Sequence, residues 1–302
     1  MLHASRVSRM ALRLTFLALA SEGKNCSQSF RPAGGRGVLR DNAHTTHATQ
    51  GDFLRMTRAV IVGATSGIGR EVALQLYERG WEIGIAGRRR EKLEELASRD
   101  PQRIHMRVID VREQGAPAEL SALIDEMGGM DVYIHCAGVG SQNAVLNADI
   151  EMEAVRTNVA GFVRMVDAAF SYFMRAGCGH ICAVTSIAGT MGLGVTPAYS
   201  AAKRFQNTYL DALEQLSHLR GRPLVFTDIR PGFVDTPFLH DGRHYPMMIA
   251  ADAAARSIVE AIDRKKRTVV IDWRYRILVF FWRLVPQWLW KRLPIRTERI
   301  EP

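Results

Sequence analysis

A tyrosine and a lysine stand four residues apart in the stretch YSAAK, as Tyr199 and Lys203. Four residues make about one helical turn, so in a helix both side chains project from the same face. A free phenol has a pKa of about 10 and releases its proton poorly at neutral pH, whereas a neighbouring positive charge stabilises the phenolate. The spacing therefore indicates a general acid or base, although an exposed tyrosine beside a solvated lysine gives the same pattern.

The elements that would position this pair alternate between apolar strands and amphipathic helices across residues 56–273. Strand character is found in RAVIVG, EIGIAG, IHMRVIDV, MDVYIHCAG, HICAVTS, PLVFTDIRPG and RTVVIDW. Helices are predicted after the first two strands and around 117–127, 151–176, 197–219 and 250–263. This alternation predicts a single α/β domain with a doubly wound parallel sheet, a Rossmann fold, whose ligands bind at the carboxyl ends of the strands.

A glycine-rich turn, GATSGIG, joins the first strand to the first helix. Without Cβ atoms, the turn lets a phosphate approach the backbone near the amide groups of a helix N-terminus. The strand–turn–helix setting favours a dinucleotide site over a mere tight turn. The cofactor contacts predicted in this turn are Gly63, Thr65, Ser66, Gly67, Ile68 and Gly69.

The second strand ends with Gly87 followed by Arg88 and Arg89. An NAD-specific site usually has an acid here, about 20 residues past the glycines, which binds the ribose 2′-hydroxyl. An arginine pairs instead with a 2′-phosphate. We therefore predict NADP(H) as the preferred cofactor, with NAD(H) left open, and Arg88 as the leading contact before Arg89; a solvated helix start is the alternative. Asp110, which ends the third strand, is placed to reach the adenine ring or to cap its turn.

Six motifs, taken in chain order, resemble those of the short-chain dehydrogenase/reductase family. They are GATSGIG, CAG after the fourth strand, RTNVAG, TSIAG, YSAAK and RPG, within residues 58–272. Ser186 precedes Tyr199 by thirteen residues, as the family pattern requires. The resemblance implies that Asn158, Ser186, Tyr199 and Lys203 form the catalytic set.

The resemblance also implies a role for each of these residues. Tyr199 exchanges a proton with the substrate oxygen, and Ser186 hydrogen-bonds that oxygen much as an oxyanion hole does. Lys203 lowers the pKa of Tyr199 and binds the nicotinamide ribose, and Asn158 holds a water that relays protons to Lys203. The family loop beside the nicotinamide matches RPG and the residues after it. Besides the residues already named, the implied cofactor contacts are Ala137, Gly138, Pro231, Gly232, Val234 and Thr236.

The chain departs from the family pattern near the cofactor. His135 and Cys136 stand where the family usually has two asparagines, and Val62 replaces a threonine before the first motif glycine. These changes affect structural hydrogen bonds more than chemistry. A substrate lid is expected over residues 233–249, although ordinary loop packing accounts equally well for its apolar side chains. The candidate pocket residues there are Phe233, Phe238, Leu239, Tyr245 and Met247.

The net charge of +9 is concentrated at the two ends of the chain. Residues 1–55 and 273–302 each carry a net charge of +5, whereas 56–272 carries −1. The near-neutral middle argues against a nucleic-acid partner, which would need a basic face on the folded domain. Residues 1–55 lack apolar periodicity and are expected to be disordered or to form a targeting segment. Alternatively, translation starts at Met56 and the upstream stretch is not part of the working protein.

The C-terminal tail, 274–302, is basic and rich in tryptophan. Four of the five tryptophans lie between 273 and 290. The apolar run between Ile277 and Trp290 is too short to cross a bilayer, for which roughly 20 residues are needed, and Pro286 interrupts it. Tryptophan flanked by arginine and lysine is typical of the membrane interface, so we expect peripheral membrane contact through 274–294; packing on the core or on a second subunit is the alternative.

The sequence thus favours an NADP(H)-dependent oxidoreductase that reduces a ketone or aldehyde, or oxidises a secondary alcohol, on a hydrophobic and potentially lipid-linked substrate. The alternative is a catalytically silent dinucleotide-binding adaptor that docks through 274–294. Four cysteines without metal or redox spacing predict no metal site and a cytoplasmic location, with the membrane surface left open. A homodimer or homotetramer is implied only by the family resemblance.

Overall fold

A parallel sheet of seven strands runs through the part of the chain that the computed structural model describes, residues 56–239 and 242–295. Its strands are β1 (Arg58–Val62), β2 (Glu82–Gly87), β3 (Ile104–Val108), β4 (Val132–His135), β5 (His180–Val184), β6 (Val225–Arg230) and β9 (Thr268–Val270). Strands β7 (Val234–Asp235) and β8 (Ile249–Ala250) form a separate two-stranded sheet. The strand order is β3-β2-β1-β4-β5-β6-β9. The order reverses between β1 and β4, which is where doubly wound sheets bind ligands.

Helices connect the strands. They are α1 (Gly67–Glu78), α2 (Arg90–Ala97), α3 (Ala116–Glu126), α4 (Ala148–Val155), α5 (Phe162–Ala176), α6 (Pro197–Leu219), α7 (Ala251–Asp263), α8 (Trp273–Leu284) and α9 (Gln287–Trp290). The predicted doubly wound α/β fold is confirmed. Residues 1–55 and 296–302 lie outside the described residues, as do the predictions made for the N-terminal segment.

The sheet is covered on both faces, which is why its central strands are apolar rather than alternating. On one face α1 and α7 pack through residues such as Leu76 and Ile258. On the other, α3 and α5 pack through Leu123, Phe162 and Phe173. Fully burying one such side chain contributes roughly 1.5–3 kcal/mol, so the two layers hold the carboxyl ends of the strands in fixed positions.

The segment 151–176, predicted as a single helix, contains a π-helical turn at Arg156–Gly161 between α4 and α5. Gly161 lies so close to the loop after β3 that an added Cβ would stand 2.8 Å from a methyl carbon of Val111. π-helical turns inside α-helices are frequent at functional sites. Here the turn carries Asn158.

The glycine turn after β1 has the backbone that its sequence predicts. The N–H groups of Gly63 and Ala64 both donate to the carbonyl of Ala86, at 2.8 and 3.0 Å. Gly63 has φ +96°, and a Cβ there would lie 2.5 Å from the backbone nitrogen of Ala137. Only glycine satisfies both conditions, so the close approach of the turn to the end of β4 depends on it.

The tail forms a helix that ends before Pro286. Asp272 accepts a hydrogen bond from the N–H of Arg274 at 2.8 Å and so caps the start of α8. Tyr275 and Val279 of α8 are buried against the domain, and Trp290 of α9 is buried as well. No helix among residues 56–239 and 242–295 combines the length and apolarity needed to cross a bilayer.

Candidate active site

Four side chains converge at the carboxyl end of the sheet. Ser186 follows β5, Asn158 belongs to the π-helical turn, and Tyr199 and Lys203 lie in the first turns of α6. An added Cβ on Gly138, just after β4, would stand 3.1 Å from Asn158 Oδ1 and 3.6 Å from Lys203 Nζ. The glycine therefore lets both polar groups reach the end of the central strand.

Tyr199 and Lys203 lie on one helical face, as the spacing predicts. Lys203 Nζ is 5.6 Å from the centre of the Tyr199 ring and donates to the carbonyl of Val184 at 3.1 Å. The lysine is 5% exposed. Burial lowers the pKa of Lys203 to about 8, and the negative charge of Asp228 acts in the opposite direction. The ammonium is thus held in a poorly solvated position by a carboxylate behind it.

The pKa of Tyr199 lies above that of a free phenol. Burial raises the pKa of Tyr199 to about 12, and the nearby Ser186 hydroxyl is the influence that lowers it. Desolvation of the phenolate dominates in the chain itself, and the predicted lowering by Lys203 stays a prediction. A tyrosine with this pKa keeps its proton at neutral pH, which suits a proton donor.

Ser186 is fixed by the turn that follows it. Its Oγ accepts a hydrogen bond from the N–H of Ala188 at 3.1 Å and donates to the carbonyl of Pro231 at 3.5 Å. The N–H of Ile187 donates to the same carbonyl at 3.1 Å. The serine is therefore held between β5 and the RPG loop, with its hydroxyl within reach of Tyr199.

Asn158 clamps the loop after β4. Its side chain accepts from the N–H of Val139 at 2.9 Å and donates to the carbonyl of Val139 at 2.6 Å. Its own backbone carbonyl accepts from Gln206 Nε2 at 2.9 Å. Asn158 is completely buried, so its shown role is to hold the loop and α6 together, and the predicted water relay to Lys203 stays a prediction.

Sequence analysis missed a buried polar cluster behind Lys203, defined by Asp228, Thr185, Asn207 and Arg230. Asp228 is 0% exposed. Its carboxylate accepts from Thr185 Oγ1 at 2.6 Å, from Asn207 Nδ2 at 3.0 Å and from Arg230 Nη2 at 2.6 Å. A buried charge needs such partners, so the carboxylate forms a fixed negative centre beneath the ammonium.

The missed cluster had a signal in the sequence. Asp228 interrupts an otherwise apolar strand, VFTDIR, and Asn207 lies one helical turn after Lys203 on the same buried face of α6. A carboxylate in a strand buried on both faces requires a partner. The pairing of β5 with β6, Ala183 opposite Asp228, was needed to identify Thr185 as one of them.

The glycine turn and the start of α1 form a surface that fits a phosphate group. Ser66 is the N-cap of α1, its side chain makes no capping bond, and the first turn carries no acidic residue. Arg89 reaches over the turn and donates to Thr65 Oγ1 and Ser66 Oγ, both at 2.6 Å. Arg88 is exposed beside it. Backbone amides and the Arg89 guanidinium thus meet at the glycine turn, an arrangement that suits a phosphate group.

The remaining predicted cofactor residues lie along the same edge. Asp110 accepts from the N–H of Arg112 at 3.0 Å, so it caps its turn, and the Arg112 guanidinium holds the pKa of that carboxyl below its ordinary value. An added Cβ on Gly67 would meet a methyl carbon of Thr236 at 2.9 Å, which brings the RPG loop against the glycine turn. The other residues predicted there are Ala137, Pro231, Gly232 and Val234, and they follow the ends of β4 and β6.

The segment 233–249 borders the site, but its apolar side chains divide into two groups. Phe238 is 43% exposed and its ring centre lies 6.0 Å from that of Tyr199. Phe233 packs instead against Tyr245, with ring centres 4.8 Å apart, and its N–H donates to Tyr275 Oη at 3.1 Å. Met247 also packs against the core. Phe238 is therefore the member placed to meet a substrate, whereas Phe233, Tyr245 and Met247 anchor the segment.

Fold and site together define a doubly wound α/β protein with a glycine-rich turn and a tyrosine–lysine pair at the carboxyl end of its sheet. The family model described as short chain dehydrogenase matches residues 57–245. A protein of Bos taurus named dehydrogenase/reductase SDR family member 7B is 30% identical over 273 residues, covering 82% of this chain and 83% of its own. The chain belongs to the short-chain dehydrogenase family of oxidoreductases.

Further relatives agree with this assignment. An uncharacterized oxidoreductase of Myxococcus xanthus is 33% identical over 230 residues, covering 72% of this chain and 88% of its own. Among solved structures, a variant of actinorhodin polyketide ketoreductase with NADPH has a TM-score of 0.63 at 22% identity, over 72% of this chain and 95% of its own. ElxO with NADP bound has a TM-score of 0.66 at 20% identity, covering 74% of this chain and 100% of its own. At these identities the structures support the fold.

Proposed function

We propose that this protein is an NADPH-dependent carbonyl reductase. The observation that carries the proposal is the convergence of Ser186, Tyr199 and Lys203 at the carboxyl end of the sheet, beside the glycine turn. The phenol of Tyr199 carries its proton in the chain itself, as a donor to a carbonyl oxygen must, and the ammonium of Lys203 lies beside its ring. A dinucleotide-binding adaptor would have no use for a buried lysine held over a tyrosine and backed by a carboxylate.

The chain's own residues provide position and charge for the reduction. A bound reduced nicotinamide supplies the hydride to the carbonyl carbon. Tyr199 donates its proton to the substrate oxygen as negative charge develops there, and the Ser186 hydroxyl hydrogen-bonds the same oxygen. Lys203 stabilises the tyrosinate that remains, with its ammonium 5.6 Å from the ring centre. Asn158 fixes the loop after β4 through its two hydrogen bonds to Val139, next to Gly140, which lies against the Tyr199 ring.

The preference for NADPH rests on the charge at the end of β2. Arg88 is exposed there, and Arg89 is held over the glycine turn by Thr65 and Ser66. An acid at this position would repel a 2′-phosphate. The NADPH and NADP named with two structural neighbours are consistent with this choice.

Arg88→Ala is expected to raise the KM for NADPH by about tenfold to a hundredfold, because a charge-assisted hydrogen bond is worth about 1.5–3 kcal/mol. The KM for NADH should stay close to its original value, since NADH has no 2′-phosphate. Initial rates with the two cofactors measure both. Arg90→Ala is the matched control, because Arg90 is exposed and contacts Glu94 one turn along α2. Equal losses with NADPH and NADH would contradict the assignment of Arg88.

The function itself is tested by a panel of aldehydes, ketones and secondary alcohols with both nicotinamide cofactors. Oxidation of NADPH, followed by its absorbance, should occur with at least one class of carbonyl compound. Retention of NADPH binding without turnover across the whole panel would favour the adaptor instead.

A further inference from the structure

Helix α8 has two apolar faces. The inner face packs against the core of the domain through Tyr275, Leu278, Val279 and Trp282. These positions follow the i, i+3, i+4, i+7 spacing of a single helical stripe. The opposite face has a second stripe with the same spacing, and its members are all exposed. We call these residues the outer stripe: Ile277, Phe280, Phe281 and Leu284, which are 49%, 60%, 58% and 63% exposed.

An exposed tryptophan lies on each side of the outer stripe in the sequence. Trp273 at the start of the helix is 66% exposed, and Trp288 in α9 is 61% exposed. A soluble surface helix normally has charged or polar residues opposite its core face. A segment of this size with large aromatic side chains on its outer face indicates an interaction surface.

The charges around the outer stripe have one sign. Residues 273–295 contain five arginines and lysines and no aspartate or glutamate. Arg276, Arg283, Lys291 and Arg292 are exposed. Arg292 lies over the ring of Trp288, with its guanidinium carbon 5.8 Å from the ring centre. Basic residues beside exposed tryptophan and phenylalanine complement a surface that is apolar within and anionic at its border, as an acidic lipid bilayer is.

The same segment holds the loops on both sides of the candidate active site. Tyr275 Oη donates to the carbonyl of Pro246 at 3.0 Å and accepts from the N–H of Phe233 at 3.1 Å. Trp290 Nε1 donates to the carbonyl of Gly192 at 2.6 Å, in the loop between Ser186 and α6. The apolar surface is therefore attached to the segments that frame access to Tyr199.

We propose that residues 273–293 lie in the interfacial region of an anionic bilayer, with the outer stripe among the lipid headgroups, and that the site takes apolar carbonyl compounds from that bilayer. The first part rests on the surface alone. The second part rests on the proposed function. With 12 residues, α8 is about 18 Å long, which fits a helix lying in the interface rather than across the membrane.

The first part is tested by co-sedimentation of the full chain with vesicles of phosphatidylcholine, with and without phosphatidylserine. The wild type should bind the phosphatidylserine vesicles more tightly, and added salt should weaken this binding. A Phe280→Ser, Phe281→Ser, Leu284→Ser variant should lose about tenfold or more in partitioning. The matched control replaces two exposed apolar residues elsewhere, Val145→Ser and Leu219→Ser, and should bind as the wild type does.

Two results would overturn the membrane assignment. One is unchanged partitioning of the triple variant, with circular dichroism showing that it is folded. The other is a combined result in which the wild type is a dimer and the triple variant a monomer in light scattering, while neither protein binds vesicles. A second copy of the chain would then cover the outer stripe.

The second part is tested with two carbonyl substrates of the same reacting group, one short-chain and dissolved, the other long-chain and embedded in vesicles. The triple variant should reduce the dissolved compound at the wild-type rate and the embedded one at least about fivefold more slowly, in line with its lost partitioning. Equal rates of the two proteins on the embedded compound would overturn the delivery role. The reacting group is chosen from the carbonyl panel above, and if the wild type reduced no compound of that panel, the proposed function would fail while the sedimentation result still decided the docking.

Discussion

Tyr199→Phe is expected to lose carbonyl reduction by about 10²–10⁴-fold while binding NADPH as the wild type does. The substitution removes the proton donor but keeps the ring that packs beside Lys203 and Phe238. The loss is large because general acid catalysis by a positioned side chain typically contributes about 10²–10⁴-fold. Single-turnover NADPH oxidation measures the chemical step, and titration of NADPH fluorescence measures binding.

The matched control for this variant is Tyr209→Phe. Tyr209 lies on the same helix and donates to Asp167 Oδ1 at 2.6 Å, away from the catalytic set. Its loss should leave the single-turnover rate within about twofold, since it removes one hydrogen bond and no reacting group. Undiminished turnover in Tyr199→Phe would refute the assignment of the proton donor.

Asp228→Asn is expected to lower the free energy of unfolding by about 3–5 kcal/mol, because Arg230 is left buried without its counter-charge. Arg230 donates to Asp228 Oδ2 through both Nε and Nη2, at 2.8 and 2.6 Å. Urea denaturation at neutral pH measures the change. Asp263→Asn is the control: it breaks the exposed pair with Arg79, which should cost about 0–1 kcal/mol.

The same substitution should change the pH dependence of reduction. Burial lowers the pKa of Lys203 and the carboxylate of Asp228 raises it, so that the resulting pKa of Lys203 is about 8. A reaction that needs the ammonium therefore slows as pH rises through about 8 in the wild type. Without the negative charge the pKa falls further, so the alkaline limb of the rate profile should move to lower pH. An unmoved limb in a folded variant would show that Asp228 does not act through Lys203.

Much of the fold was predictable because each element carries its own periodicity. The strand segments are short apolar runs, and α6 was predicted as 197–219, which is its observed extent. The π-helical turn at Arg156–Gly161 was not predictable from the helical pattern of 151–176, and the residue that Gly161 approaches, Val111, belongs to another part of the chain. Non-local contacts of this kind leave no period in the sequence.

The candidate site likewise has features that the sequence predicts and features that depend on contacts between distant parts of the chain. The positions of Ser186, Tyr199 and Lys203 follow from motifs at fixed spacing, whereas the pKa of Tyr199 depends on burial that only the packed structure supplies. The cluster around Asp228 needs the register of β5 against β6. The two faces of α8 were only partly predictable. The composition shows an apolar segment but does not show which side of it packs against the core.

The π-helical turn has a consequence for how the helix on either side of it is aligned. Each residue of a regular helix turns the chain by about 100°, so an extra residue in the turn sets α4 and α5 in different angular phases. Glu151 in α4 accepts from the N–H of Ala198 at the start of α6, and Gln206 of α6 donates to the carbonyl of Asn158 within the turn. Removing one residue other than Asn158 from 156–161 would turn Glu151 away from Ala198 and leave that N–H at the start of α6 without its acceptor, although Asn158, Ser186, Tyr199 and Lys203 would all still be present.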